Sequence, residues 1–381
     1  MRRAVIIGAG ISGLFIAYEL VKRGVKDVVL IDEKYPGSGG SLRNVGCFRA
    51  SFTSPEHVVL MKKSIELWLK LREELNLELK QSGYLWVARK PETLELFERL
   101  SAFHNQYGVP TRVLSPEEAA EVQPGLNTKI VAGALYDPLA GKMPILENYT
   151  KLYLKLKSLG AKFIYPVKAV KLEVSESRVK SVATSTGAIG GDVFVVAAGG
   201  RGTRELLASV GVDVPIVDET RHPVLTEPYQ EIVKPALLID WDTPGAPYVT
   251  QTFHGSIIFA RNIKDNPEMP LNSYKADAIG KTIKPMIELL PSLRYVRILR
   301  YWIGYYETTP DHHPVYGPVP PLENLYVAAG FSGHGMMMGP ITGVLTAEWI
   351  LDGKPSIKLA ENLVIERFKL GRLIKEVAIV G

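Results

Sequence analysis

The sequence lacks the features that define several common classes of protein. A single cysteine, Cys47, among 381 residues excludes an intrachain disulfide framework and a multi-cysteine metal site. The seven histidines include no H-E-x-x-H pair, and the adjacent His312 and His313 would point to opposite faces of a strand. The formal net charge of +5 is small for this length, and no Lys/Arg block follows a nucleic-acid pattern. We therefore expect neither a metal site nor a nucleic-acid partner.

Long apolar runs are also missing. No stretch reaches the roughly 20 apolar residues that cross a bilayer. The start, Met1-Arg2-Arg3 and an apolar run, superficially resembles a signal peptide, but charged residues follow without a small-residue cleavage site. We therefore expect a cytoplasmic protein with no integral membrane span. Frequent Lys, Glu, Ile and Val beside only five Gln are a weak indication of a thermophile.

A strand, a glycine turn, a helix and a second strand open the chain. Residues 4–7 and 28–31 are short apolar runs, and residues 12–23 have helical spacing. In the turn, Gly8 permits the tight bend, Gly10 lets the backbone approach a pyrophosphate, and Gly13 lets helix and strand pack closely. Asp32 follows the second strand, where an acidic side chain accepts ribose hydroxyls. This unit predicts a dinucleotide site and leaves NAD and FAD open.

The rest of the chain alternates between two patterns. Helices are expected from Ser54-Pro55 onward and over 144–159 and 340–351, with a hairpin over 163–174 and 179–184 and strands at 193–198 and 325–329. Residues 213–309 instead alternate as strands broken by proline, which is typical of an antiparallel sheet. We predict a nucleotide-binding domain from residues 1–82, 140–212 and 310–381, and a substrate domain from 83–139 and 213–309.

Three further segments distinguish between the cofactors. They are residues 37–49 (GSGGSLRNVGCFR), 305–312 (YYETTPDH) and 324–337 (NLYVAAGFSGHGMM). Together with the glycine turn they resemble the amino-acid oxidase (DAO) family of FAD enzymes, in particular its sarcosine oxidase β and dye-linked L-proline dehydrogenase β branch. The resemblance covers the whole chain. It implies an α/β fold with a Rossmann-like FAD-binding domain and an inserted antiparallel-sheet (α+β) substrate domain.

The motif and the resemblance together predict the residues that bind FAD. Covalent attachment through Cys47 is disfavoured, because the sarcosine oxidases that attach flavin through Cys do so nearer the C-terminus; we expect non-covalent FAD. The predicted cofactor-binding residues are Gly8, Gly10, Ile11, Ser12, Gly13, Asp32, Glu33, Gly40, Ser41, Arg43, Asn44, Val45, Gly46, Cys47, Val167, Ala198, Gly199, Gly200, Gly333, His334, Gly335, Met336 and Met337.

An amino-acid substrate needs a cation for its carboxylate, and the planar fork of Arg suits it. By resemblance, glycine and D-amino-acid oxidases place that Arg after a W-x-G, but here tyrosines follow Trp302-Ile303-Gly304. The sarcosine-oxidase branch uses an Arg that matches Arg49 and a Lys whose position is Met337 here. The oxygen-activating Lys of the family, in the strand after Gly255, is also replaced by an apolar residue. Arg49 is thus the expected carboxylate ligand, and the predicted catalytic residues are Arg49, Tyr248, Tyr306 and His334.

These features favour a dehydrogenase over an oxidase. The leading hypothesis is oxidation of a secondary amino acid by hydride transfer from the α-carbon to flavin N5. The substrate would be L-proline first and sarcosine second, with a quinone, a dye or a partner flavin or iron–sulfur subunit as acceptor. The resemblance also implies an α-type subunit in a hetero-oligomer.

Three alternatives remain open. One is a sarcosine, glycine or D-amino-acid oxidase, and another is a non-catalytic FAD-binding subunit of an electron-transfer complex. The third is oxidation of a 2-hydroxy acid or glycerol phosphate, which needs a proton-abstracting His, either His254 or His334.

Overall fold

The computed structural model describes residues 3–263, 270, 273 and 275–378. Within this part of the chain, no helix is long and apolar enough to cross a membrane. The described helices are α1 (Ile11–Lys22), α2 (Pro55–Leu75), α3 (Pro91–Gln106), α4 (Pro116–Val122), α5 (Ile145–Ser158), α6 (Gly199–Ala208), α7 (Ala276–Leu289), α8 (Gly335–Leu351) and α9 (Glu366–Lys369). Short 3-10 turns lie at Gly40–Leu42, Thr128–Ile130, Pro291–Tyr295 and Lys358–Leu363.

The described strands form five sheets. They are β1 (Arg3–Ile7), β2 (Asp27–Ile31), β3 (Cys47–Phe48), β4 (Lys80–Gln81), β5 (Tyr84–Ala88), β6 (Arg112–Leu114), β7 (Gly133–Asp137), β8 (Gly141–Lys142), β9 (Lys162–Ile164), β10 (Ala169–Ser175), β11 (Arg178–Thr184), β12 (Gly187–Gly190), β13 (Val193–Val196), β14 (Val217–Arg221), β15 (Val224–Pro228), β16 (Leu237–Asp240), β17 (Tyr248–Gln251), β18 (Ser256–Ala260), β19 (Ile298–Tyr301), β20 (Gly304–Thr308), β21 (Val315–Val319) and β22 (Leu322–Ala329).

A six-stranded sheet has the order β21-β22-β13-β1-β2-β9 and is parallel except between β21 and β22. Alternate residues of β1 enter two different cores. Ile6 packs in the cluster that holds α1 and α8, whereas Val5 packs in the cluster with Leu172 of β10 and Leu206 of α6. A parallel sheet buried on both faces needs the continuous apolar strands seen here. The predicted Rossmann-like α/β fold is confirmed.

An eight-stranded sheet of order β19-β15-β18-β17-β16-β5-β7-β6 forms the second layer. Its strands come from two stretches of the chain, β5–β7 and β15–β19, and only β16 and β5 run parallel. Met286 and Leu289 of α7 pack in the same core as Leu85 and Val249 of this sheet. The short pair β14–β20 and the two three-stranded sheets β10-β11-β12 and β3-β8-β4 complete the described fold. The exact domain boundaries stay a prediction.

Three local expectations are wrong. Residues 163–174 are not one strand: β9 joins the parallel sheet, β10 begins only at Ala169, and Pro166 between them has no N–H for a ladder. Helix α8 begins at Gly335 rather than at Pro340, which lies inside it. Helix α7 interrupts the segment for which only strands were expected.

Candidate functional site

A cavity of about 600 Å³ is lined by residues of both large sheets. It extends from the glycine turn after β1 to the start of α8 and to Tyr248 of β17. Every residue predicted to contact cofactor or substrate lines it, except Gly13 and Gly46. Sequence motifs that lie far apart in the chain are thus brought to one site. Which of these residues touch a ligand stays a prediction.

Close backbone packing shapes the first end of the cavity. Gly8 has φ +112°, and a Cβ there would lie 2.1 Å from the carbonyl oxygen of Ala197. A Cβ on Gly13 would lie 2.0 Å from the oxygen of Gly8, so Gly13 serves helix–strand packing rather than the cavity. Gly46 has φ +72°, and its Cβ would lie 2.4 Å from the oxygen of Met143. At both exceptions, Gly13 and Gly46, a larger residue would push the neighbouring backbone away, so these glycines serve close packing.

Asp32 at the end of β2 ties the glycine turn to the next strand. Its carboxylate accepts the N–H groups of Ala9 and Lys34, each at 3.0 Å. Burial raises the pKa of Asp32, and these two hydrogen bonds oppose that shift. The N–H of Val167 donates to the carbonyl of Asp32 at 2.8 Å, so this amide is already engaged. A carboxylate has about four lone-pair sites, so Asp32 keeps acceptor capacity for a ribose.

The loop over residues 37–49 is held by its own polar side chains. Arg43 donates to the carbonyl of Gly39 at 2.8 Å. The amide nitrogen of Asn44 donates to the carbonyl of Ser41, and its oxygen accepts the N–H of Gly46, both at 2.8 Å. These contacts give Arg43 and Asn44 a role in shaping the loop, beside whatever contact they make with a ligand.

Arg49 lies at the other end of the cavity and is only 1% exposed. Its guanidinium donates to the carbonyls of Ser51 and Ala378 and lies 3.5 Å from the ring centroid of Phe52. Burial lowers the pKa of Arg49 to about 10, which leaves it protonated at neutral pH. A buried, fixed cation that lines a cavity is suited to hold a carboxylate.

Tyr248 and Tyr306 lie together in the same part of the cavity. They share a hydrogen bond, and burial raises the pKa of both. The guanidinium of Arg221 lies 4.2 Å from the ring centroid of Tyr306 and donates to the carboxylate of Glu219 at 2.9 Å and the carbonyl of Thr220 at 3.0 Å. The buried Nε of Arg221 has no partner within the described residues. Sequence reasoning missed Arg221, because no motif surrounds it.

His334 immediately precedes α8 and is buried. Burial, with the neighbouring His57 and Arg49, holds the pKa of His334 well below its usual range, so the ring is neutral. Its Nδ1 has no partner in the described part of the chain. His254, the other candidate base, is 77% exposed, contacts Glu147 at 3.1 Å and does not line the cavity. The proposal of His254 as a base is therefore wrong.

Glu307 is a second cavity residue that sequence reasoning did not single out, although it lies in the quoted segment 305–312. Burial and the nearby Asp218 raise the pKa of Glu307 to about 7, against hydrogen bonds from the N–H groups of Gly200 and Gly330. This carboxyl group therefore titrates near neutral pH.

A buried cluster lies next to Arg49 and His334. The rings of His57 and His313 stack at 4.1 Å, and Nδ1 of His57 lies 3.4 Å from Glu376. The hydroxyl of Ser54 contacts Nε2 of His313 at 2.8 Å and Glu376 at 3.1 Å. Although the three ionisable groups are close enough to share a metal ion, the Ser54 hydroxyl already bridges two of them. We interpret the cluster as a hydrogen-bond network.

The cavity fits a flavin dinucleotide. At one end, helix α1 begins at a glycine turn where added Cβ atoms would clash, and Asp32 follows β2. At the other end, helix α8 also begins at the cavity, beside the Nδ1 of His334, which has no partner among the residues described. Helix N-termini stabilise negative charge, as a pyrophosphate carries and as a flavin acquires on reduction. The fold and the site thus define a dinucleotide-dependent oxidoreductase.

Comparison with known proteins identifies the family. The chain belongs to the DAO family of FAD dependent oxidoreductases, whose model matches residues 3–349. The resemblance inferred from the sequence and the assignment of FAD are thereby confirmed. The crystal structure of L-proline dehydrogenase from P. horikoshii is 34% identical with a TM-score of 0.93, and the match covers 98% of this chain and 99% of that one.

Curated relatives agree with the family assignment. Human mitochondrial sarcosine dehydrogenase is 27% identical over 92% of this chain and 40% of that protein. Sarcosine oxidase subunit beta of Arthrobacter sp is 28% identical over 98% of this chain and 92% of that subunit. The chain thus spans about two fifths of the length of the first curated relatives it matches.

Proposed function

We propose that this chain oxidises a secondary amino acid, L-proline before sarcosine, as an FAD-dependent dehydrogenase. The observation that carries this proposal is the buried guanidinium of Arg49 in the same cavity as the start of α8. The 34% identity to an L-proline dehydrogenase over nearly the whole of both chains supports proline as the first substrate to test. The sarcosine relatives support sarcosine as the second.

In this proposal the protein acts mainly by positioning the substrate. When bound, FAD supplies the oxidising power by accepting a hydride from the substrate α-carbon. Arg49 holds the carboxylate, and the hydrogen-bonded pair of Tyr248 and Tyr306 bounds the same end of the cavity. The neutral His334 has an Nδ1 without a partner among the described residues, and this atom can accept a hydrogen bond from the substrate amine.

We further propose that the electron acceptor is not dioxygen. The lysines that line the described cavity are Lys34 and Lys168, beside Asp32 and Val167 at the nucleotide end. Met337, at the position where the resemblance implies a lysine, lines the cavity, and residues 256–259, where the resemblance implies the oxygen-activating lysine, include no basic residue. A quinone, a dye or a partner flavin or iron–sulfur subunit would then accept the electrons.

A partner subunit is part of the same proposal. The Arthrobacter relative is named as subunit beta, and this chain aligns with 92% of it. We infer that this chain forms a hetero-oligomer with an α-type subunit. Co-purification of the tagged chain from its native source would test this, and a tagged chain that stays alone at native concentration would contradict it.

An anaerobic substrate panel tests the activity directly. The FAD-loaded protein is mixed without oxygen with L-proline, D-proline, sarcosine, glycine and L-lactate, and flavin absorbance is followed. L-proline is expected to bleach the flavin fastest, and reoxidation by a dye is expected to be faster than by air. If no amino acid bleaches the flavin, the chain is better explained as a non-catalytic FAD-binding subunit. Bleaching by glycine or a D-amino acid, with fast reoxidation in air, would favour an oxidase instead.

A further inference from the structure

The loop that carries Arg49 is held between two buried carboxylates. Asp137 accepts the N–H groups of Ala50 at 3.0 Å and Ser51 at 2.9 Å. A few residues further on, Glu376 accepts the N–H groups of Thr53 at 3.0 Å and Ser54 at 3.1 Å. Asp137 ends β7, whereas Glu376 lies in the irregular segment 372–378 that follows α9. The loop position therefore depends on a part of the chain more than 300 residues away.

Glu376 is buried to 1% exposure, and its contacts extend beyond the backbone of the loop. It also accepts the hydroxyl of Thr53 at 2.5 Å and the N–H of Ala378 at 2.9 Å, and it lies 3.4 Å from Nδ1 of His57. Although burial opposes ionisation, the hydrogen bonds from His57, Thr53 and Ala378 hold the pKa of Glu376 well below its usual range. A buried carboxylate with this many donors is a rigid anchor.

The segment is itself anchored at its start and contacts Arg49 near its end. Arg367 of α9 forms a buried ion pair with Asp311 at 2.8 Å, and the N–H of Ile374 also points to Asp311 at 3.4 Å. Two residues beyond Glu376, the carbonyl of Ala378 accepts a hydrogen bond from the Arg49 guanidinium. Segment 372–378 thus touches both the loop and the side chain of the proposed carboxylate ligand.

We propose that Glu376 is a positioning residue for substrate recognition, which fixes the Arg49 loop and orients the guanidinium through the carbonyl of Ala378. This rests on the proposed function, in which Arg49 holds the substrate carboxylate. Glu376 itself does not line the cavity. Its loss therefore weakens the binding of molecules that carry a carboxylate and leaves other ligands of the cavity unaffected.

Glu376→Gln in the FAD-loaded full chain tests the proposal. The amide keeps the shape but loses the charge and part of the acceptor capacity. The dissociation constant of tetrahydrofuran-2-carboxylate, an unreactive ring carboxylate, is read from the visible flavin spectrum, and KM and kcat are measured for L-proline and pyrrolidine. We expect carboxylate binding to weaken and KM for L-proline to rise by on the order of tenfold, since hydrogen bonds to charged groups contribute at this scale. The kinetics of pyrrolidine, which has no carboxylate, are expected to stay within about twofold.

Two further variants keep the test decisive. Glu361→Gln removes an exposed carboxylate and should match the wild type. If Glu376→Gln fails to fold, Thr53→Val removes one donor to Glu376 and should give a smaller effect of the same selectivity. Equal changes for L-proline and pyrrolidine, or unchanged carboxylate binding, would overturn the positioning role. If the wild-type protein oxidises no amino acid but binds the ring carboxylate, and Glu376→Gln weakens that binding, only the proposed function is overturned.

Discussion

The two ends of the cavity are built in different ways. At the nucleotide end, one continuous stretch supplies the strand, the turn, the helix and the acidic residue, and backbone atoms make most of the close contacts. At the substrate end, Arg49, Tyr248, Tyr306 and His334 come from separate parts of the chain and meet only in the folded protein. A phosphate can be bound by N–H groups that any residue provides, whereas a carboxylate and an amine need particular side chains. The first end should therefore tolerate almost no added volume, and the second should respond to changes of side-chain chemistry.

The largest effect is expected at the nucleotide end, from Gly8→Val. The added Cβ would meet the carbonyl of Ala197 at 2.1 Å, in a backbone conformation that L-residues avoid. We expect almost no FAD in the purified variant, as measured by the flavin-to-protein absorbance ratio. Gly24→Val is the matched control, because Gly24 also has positive φ but nothing within 4 Å of its Cβ position. If both variants lose FAD equally, backbone strain rather than close packing is the cause.

The next largest effect is expected at the substrate end, from Arg49→Lys. Lysine keeps the positive charge but loses the planar fork and its stacking on Phe52. We expect the efficiency of anaerobic flavin reduction by L-proline to fall roughly a hundredfold, while FAD content stays normal. Arg300→Lys changes an exposed arginine and should have no effect. Loss of FAD from Arg49→Lys would contradict the separate roles of the two ends, one binding the nucleotide and the other the substrate.

The same contrast explains which features could be predicted from the sequence. The glycine turn and Asp32 follow a local pattern whose geometry is set by neighbouring residues, so their positions could be foreseen. Arg221, His57 and Glu376 could not, because their proximity to the site depends on how distant strands and the segment after α9 pack. Arg49 lies between these cases: a motif indicated it, but its anchor at Ala378 lies 329 positions away.

A smaller, pH-dependent effect is expected for Glu307, which lies between the two ends. The folded protein raises the pKa of this carboxyl from 4.5 to about 7. The group therefore favours the folded state below about pH 4.5, and this contribution is lost as the pH rises through 7. The free energy of unfolding of Glu307→Gln, measured relative to that of the wild type, should therefore increase between pH 5 and 8, by at most about 3 kcal/mol. Denaturant unfolding of the flavin-free proteins across this range measures it, and a constant difference would mean that Glu307 does not titrate there.

The smallest effect is expected for Cys47→Ser, which asks whether the cavity holds FAD by packing and hydrogen bonds alone. The Cys47 thiol is buried, lies 3.5 Å from both the carbonyl of Ala236 and the hydroxyl of Thr250, and has a pKa raised by burial. A thiol that stays protonated is a poor nucleophile, so no bond to the flavin is expected. Acid precipitation should release the flavin into the supernatant for wild type and variant alike, with equal FAD content before it. Flavin that stays with the wild-type pellet but leaves the variant would show that a covalent bond joins Cys47 to the flavin, and that packing and hydrogen bonds alone do not retain the cofactor.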